Sequence, residues 1–227
     1  MSLNQILAVS ESVEINDQRF IGQNISRNQR ITTSEQLTVV PFQFTLKPMN
    51  YLLYSENRDL LATLRYYDRA LTQYLNFGAT GWKSYIKYQG AMSVSQIAAC
   101  QWQTSSANKT LVLGSLPAIS SSAFIVKAGD FCQVGLYTYI ATQDVVRGAS
   151  STVNIPVHRN LIEAVTAPLN AVIGEYGTTV SMGGSSYTGV TFPVILRDYP
   201  TYQLVPMKDD SFIAWSGAFK AFEAVEQ

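Results

Sequence analysis

His158 is the only histidine in a chain of 227 residues. A zinc site built from several imidazoles is therefore excluded, and with it the two-histidine helix of metalloproteases. Cys100 and Cys132 lack the CxxC spacing that a four-ligand zinc site needs. The chain has no GxSxG elbow and no Walker loop. Met182-Gly183-Gly184-Ser185-Ser186 is glycine-rich, but neither a lysine nor a helical pattern follows it. That makes it a hairpin turn rather than a phosphate cradle. His158 follows Pro156-Val157 at an expected strand end. It could act as a general base. Nothing beside it in sequence resembles an activated nucleophile, so a structural imidazole bonded to backbone is the expected role. Asp209-Asp210 is the only adjacent acidic pair and reads as a solvated turn. Asp130, in Lys127-Ala128-Gly129-Asp130-Phe131, reads as a turn residue first and an acid second. Dispersed glycosidase carboxylates are compatible with the spacing, which leaves a hydrolase as a third reading. The expectation is a non-enzyme with no catalytic residue, cofactor or metal.

Composition then says what such a chain is for. Lysine plus arginine and aspartate plus glutamate number 16 each, so net charge is zero. Binding nucleic acid or an anionic membrane through bulk charge is disfavoured. Charged residues make up 14% of the chain, against about 25% in ordinary globular domains. Interface cores are depleted in charge and enriched in aromatics, and the chain carries 13 Tyr and 10 Phe. Self-assembly is expected. No stretch is apolar enough to span a membrane, and the first residues lack the basic region of a signal peptide. The expected compartment is a cytosol, where Cys100 and Cys132 stay reduced and buried.

The elements that would carry these residues read as mainly β, in one domain of 1–227 with a possible small subdomain from about 176. Residues 3–9 and 11–15 read as short strands. Residues 19–26 and 36–47 read as the arms of a long hairpin. In the second arm Val40, Phe42, Phe44 and Leu46 alternate with Pro41, Gln43, Thr45 and Lys47. The tip, 27–35, is polar and long enough to be functional. Arg27, Asn28, Arg30, Thr32 and Glu35 are its candidate contacts with a neighbouring subunit. One helix is expected over 56–76, N-capped by Ser55 and closed by Gly78, with Leu60, Leu61, Leu64, Tyr67, Leu71, Tyr74 and Leu75 as its apolar stripe. Strands are expected at 82–88, 94–102, 109–113, 123–127, 131–142, 151–157, 178–182, 187–197, 202–206 and 211–224. The last carries aromatics on both faces, as a doubly buried strand would.

Two stretches resemble virion proteins of tailed bacteriophages. Phe124-Ile125-Val126-Lys127-Ala128-Gly129-Asp130-Phe131 leads into Val145-Val146-Arg147-Gly148 and Val153-Asn154-Ile155-Pro156-Val157-His158-Arg159. There a strand ends in a Lys/Ala-Gly-Asp turn and a second runs toward V-x-R-G. The closing segment, from Phe192-Pro193-Val194 through Tyr199-Pro200-Thr201-Tyr202 to Trp215-Ser216-Gly217-Ala218-Phe219, is similar to the last strands of tail-tube, distal-tail and baseplate proteins. The resemblance implies a β-sandwich or barrel-like fold with one flanking helix. It also implies hexameric rings, other tail or baseplate proteins as partners, and a place in the virion after synthesis in the host cytoplasm. A second reading is a receptor- or carbohydrate-binding β-sandwich at a tail tip, with Trp82, Trp102 and Trp215 as stacking platforms.

Overall fold

Alternation from Val40 to Leu46 puts four apolar side chains on one face of an extended segment, and all four are buried. The computed structural model describes residues 2–16, 21–25, 31–35, 40–66, 71–78, 80–106 and 108–225. At 2, 21–25, 31–35, 65 and 66 it describes the backbone alone. The protein is mainly β, and every strand pairing among the described residues is antiparallel.

The largest sheet has five strands in the order Ser10–Asn16, Gln43–Pro48, Phe219–Glu223, Thr191–Asp198 and Gln73–Asn76. Its core takes Phe42, Phe44 and Leu46 from one strand and its lead-in, and Phe192, Val194 and Phe219 from the others. Helix α1, Ser2–Ala8, adds Leu3, Ile6 and Leu7; helix α2, Tyr54–Tyr66, adds Leu60 and Leu64. A second core forms around Trp102, which is fully buried and whose indole N–H donates to Gln133 O at 2.7 Å. Tyr137, Tyr139, Leu111, Ile155 and Ile97, the last from helix α3, Val94–Ala99, close around it.

The strand Phe131–Val134 runs between these cores. Phe131 enters the helix-covered core, while Cys132 and Val134 enter the other. A period-two strand feeds two cores in this way only when both its faces are covered. Gln133, on the Phe131 face, accepts from Thr191 N at 2.9 Å and donates to Thr191 O at 3.1 Å. That amide fixes the inner strand to the five-stranded sheet.

Several expected elements differ. Gln43–Pro48 does not return on 19–26. It pairs with Ser10–Asn16, with Val13 opposite Leu46 and Ile15 opposite Phe44, and Ile21–Ile25 pairs with Ile31–Glu35. Cross-strand apolar pairs set this register, and the 19–26 segment has too few to compete. Where a strand over 3–9 was expected, residues 3–8 belong to helix α1, because Leu3, Ile6 and Leu7 share one helical face.

The expected helix over 56–76 stops at Tyr66 among the described residues, and Gln73–Asn76 is a strand against Thr191–Val194. Leu75 is therefore buried from a strand, Leu71 is 54% exposed, and Tyr67 lies outside the described residues. Pairing with a buried strand overrode helical spacing. Residues 81–86 form a 3₁₀ turn capped by Thr80, and α3 starts at a Ser93–Gln96 capping box, where strands were expected. The described residues thus hold three α-helices and one 3₁₀ helix rather than one helix. The expected strand 211–224 breaks into Ser211–Trp215 and Phe219–Glu223, which join different sheets. Each of them leaves side chains half-exposed, so it is not one doubly buried strand.

Candidate functional site

His158 is half-buried at the end of the Val153–Pro156 strand. Its Nδ1 accepts from Ile140 N at 3.0 Å, its own N–H donates to Ile140 O, and its ring lies 5.2 Å from Phe42. The imidazole thus braces a strand end. Cys100 and Cys132 are free thiols, both buried. Burial pushes both thiols above their ordinary range, so neither is an activated nucleophile.

Asp130 is more than a turn residue. Its carboxylate is buried and accepts from Lys127 N at 2.8 Å and Gln89 N at 3.0 Å. Burial raises its pKa against those two donors, and the charge of Glu175 adds to the rise. Glu175 accepts from Tyr88 N at 2.6 Å. The two acids thereby pin consecutive N–H groups of one connecting segment, a structural task. Asp210 receives the Ser55 hydroxyl at 2.6 Å and Ser55 N at 3.3 Å. Ser55 therefore donates where an N-cap acceptor was expected, and Asp210 satisfies an orphan N–H of α2. The Ser55 hydroxyl and Ser211 N–H hold that carboxyl below the usual range. Gly183 and Gly184 form the turn between Val180–Met182 and Ser185–Tyr187, both with positive φ. Among the described residues no three His, Cys, Asp or Glu side chains gather as a metal site would require.

The proposed contact residues divide. Arg27, Asn28 and Arg30 lie outside the described residues. Thr32 and Glu35 sit on the backbone of Ile31–Glu35, opposite Asn24 and Ile21. This hairpin is a two-stranded sheet of its own.

Two surface features carry more chemistry. The first is the sheet Tyr202–Pro206, Ser211–Trp215, Leu52–Leu53, with Tyr202–Pro206 as its outer strand. Val205 lies opposite Phe212, and Phe212 opposite Leu53, which places the three on one face. The Tyr51 ring meets Phe212 edge-on at 5.6 Å and is 75% exposed. Tyr51 has φ 72°, a region that bulky residues adopt under strain. Leu204, Val205 and Met207 are exposed as well. The outer strand carries no charge. Nothing in the composition distinguishes this row from core; only its edge position does.

The second feature is a groove of about 460 Å³. Gln5 of α1 and Thr63 of α2 form one wall, and Thr72, Gln73 and Tyr74 another. The turn hairpin closes it with Gly183, Ser185 and Tyr187. The Tyr74 and Tyr187 rings stand 6.0 Å apart at 38°. A side chain at Gly183 would collide with the Tyr74 ring, so glycine lets that ring lie on the turn. The tryptophans expected as platforms are elsewhere. Trp102 is core; Trp82 is half-buried with its N–H on Leu7 O at 2.9 Å; Trp215 is half-buried between Tyr202 and Phe219.

No family model matches this chain, and no curated protein matches it.

Proposed function

We propose that the chain is a non-enzymatic structural subunit of a bacteriophage tail or baseplate that assembles into a ring: a tube, tube-initiator or distal-tail-like adaptor. The observation that carries this reading is the uncharged outer strand Tyr202–Pro206 with its apolar row Tyr51–Phe212–Val205. An exposed, uncharged edge strand invites pairing unless another chain covers it. Tyrosine is favoured at interface centres, and strained backbone gathers where surfaces are used.

The hairpin Ile21–Ile25/Ile31–Glu35 supports the same reading. An isolated two-stranded hairpin is marginal in water and gains stability from a partner surface. Arg27, Asn28, Arg30, Thr32 and Glu35 are its proposed contacts on a neighbouring copy. The low charge of the chain agrees with surfaces that neighbours cover. Six copies per ring, a sandwich or barrel-like tail-tube fold and a virion location come from the resemblance in 124–159 and 192–223.

The test is Val205→Lys with Tyr51→Ala, read by sedimentation velocity. Both side chains are exposed, so the protein should fold and melt as the parent does while its ring or polymer dissociates to monomer. Unchanged assembly in that variant rejects this face as the interface.

A further inference from the structure

We propose that the groove between Tyr74 and Tyr187 is a binding site for a neutral oligosaccharide. Its volume, about 460 Å³, lies within the range of pre-formed small-molecule sites, roughly 300–1,000 Å³. The lining chemistry selects among ligands. Every described lining residue is uncharged: two glutamines, two threonines, a serine, a glycine and two tyrosines. A phosphate, sulfate or carboxylate would find no counter-charge among the described lining residues. A lipid or other apolar ligand would take water from the Gln5 amide and the Thr72 and Ser185 hydroxyls and offer no hydrogen bond in return, at a cost of about 1–3 kcal/mol for each group left unpaired. A sugar meets both demands. Its hydroxyls exchange donors and acceptors with Gln5, Thr63, Thr72 and Ser185, whose groups can do either. Its C–H faces pack on aromatic rings, which present a large apolar body beside a polar tip.

The geometry is built for this. Tyr74 is held by its place in the five-stranded sheet, by Asn4 Nδ2 on its carbonyl at 2.9 Å and by its seat on Gly183. Tyr187 is set by the hairpin register Val180↔Tyr187. The rings are therefore fixed by backbone before any ligand arrives, which lowers the ordering cost of binding. The site does not depend on the ring-subunit reading, since all its residues come from one chain.

The experiment is saturation-transfer NMR and calorimetry on the full chain with maltotetraose, chitotetraose and mannotetraose, each at up to about 10 mM, where weak millimolar complexes are still measured. At least one should bind saturably. Tyr187→Ala should abolish that binding, Tyr187→Phe should keep it, and Gln5→Ala should weaken it about tenfold. Gln5 is exposed, so this variant remains informative where Tyr187→Ala does not fold. No saturable binding by any of the three overturns the proposal, as does binding that survives both Tyr187→Ala and Gln5→Ala. Binding to free subunits that disappears in assembled rings also overturns it, because the groove is then the seat of a neighbouring chain.

Discussion

Arg159 and Glu223 meet as a two-pronged, fully buried ion pair, Nη1 to Oε2 at 2.5 Å and Nη2 to Oε1 at 2.6 Å. The same guanidinium donates to Val40 O at 2.6 Å and Thr138 O at 2.8 Å, and Phe42 N donates to Glu223 Oε2 at 3.0 Å. Its flat faces lie 4.9 Å from the Phe42 ring centre and 5.2 Å from that of Tyr139. One cation thus joins the segment after the Val153–Pro156 strand, a strand of the five-stranded sheet and the strand Tyr137–Ile140, which pairs with Phe131–Val134. Lysine has neither the planar fork nor the reach to do this.

Arg159→Met should cost about 3–5 kcal/mol, because it strands a buried carboxylate and two carbonyls. Arg159→Met with Glu223→Leu should cost clearly less than the two single changes added together. Urea denaturation of the four proteins in the cycle measures this; strict additivity would mean the pair is not coupled.

Leu64 of α2 is buried against the five-stranded sheet, whereas Leu71 is exposed beyond it. Leu64→Ala should destabilise by about 2–5 kcal/mol. Leu71→Ala should stay within about 0.5 kcal/mol of the parent. Equal losses in thermal melts would put Leu71 on a continuing helical stripe after all.

Asp130 has a folded pKa raised by burial. The folded state therefore holds this proton more tightly than the unfolded chain does. Its contribution to stability is fully present below the ordinary carboxylate pKa and is lost as pH rises through the raised value. The stability difference between the parent and Asp130→Asn should shift against the parent across that window. Denaturant titrations from about pH 3.5 upward read it directly; a difference that is flat with pH would mean that the Lys127 and Gln89 donors fully offset burial, and the opposite slope that they outweigh it.

The connection 26–30 joins Ile25 to Ile31. Replacing it with a Gly-Ser turn should leave the sheets and both cores intact, and on the proposed ring-subunit reading it should abolish assembly. Gel filtration beside circular dichroism gives both answers, and rings of normal size would reduce the hairpin to a surface loop.

Much of the strand content was legible because turn residues bracket apolar alternation. Thr110–Gly114, Phe124–Val126, Val153–Pro156 and Tyr202–Pro206 all lie where their flanking turns place them. Helix α3 was legible in principle, since Ser93 and Gln96 spell its capping box. Helix α1 was hidden because Leu3, Ile6 and Leu7 fit a short window of either period. The groove between Tyr74 and Tyr187 was not legible at all. Tyr74 and Tyr187 meet only because Gln73–Asn76 pairs with Thr191–Val194 and the turn hairpin leans on it, and no local pattern encodes that. Arg159 was equally silent: an arginine after Val157-His158 gives no sign that its partner lies 64 positions away.

The strand Phe219–Glu223 lies between Gln43–Pro48 and Thr191–Asp198. During synthesis the early strand leaves the ribosome long before the neighbour that must cover its edge. Until residues 219–223 are out, the carboxylate that neutralises Arg159 is missing and Gln43–Pro48 offers an open ladder. The nascent chain therefore cannot close the core of its five-stranded sheet until residues 219–223 are out. In that interval it is exposed to premature pairing with other nascent chains.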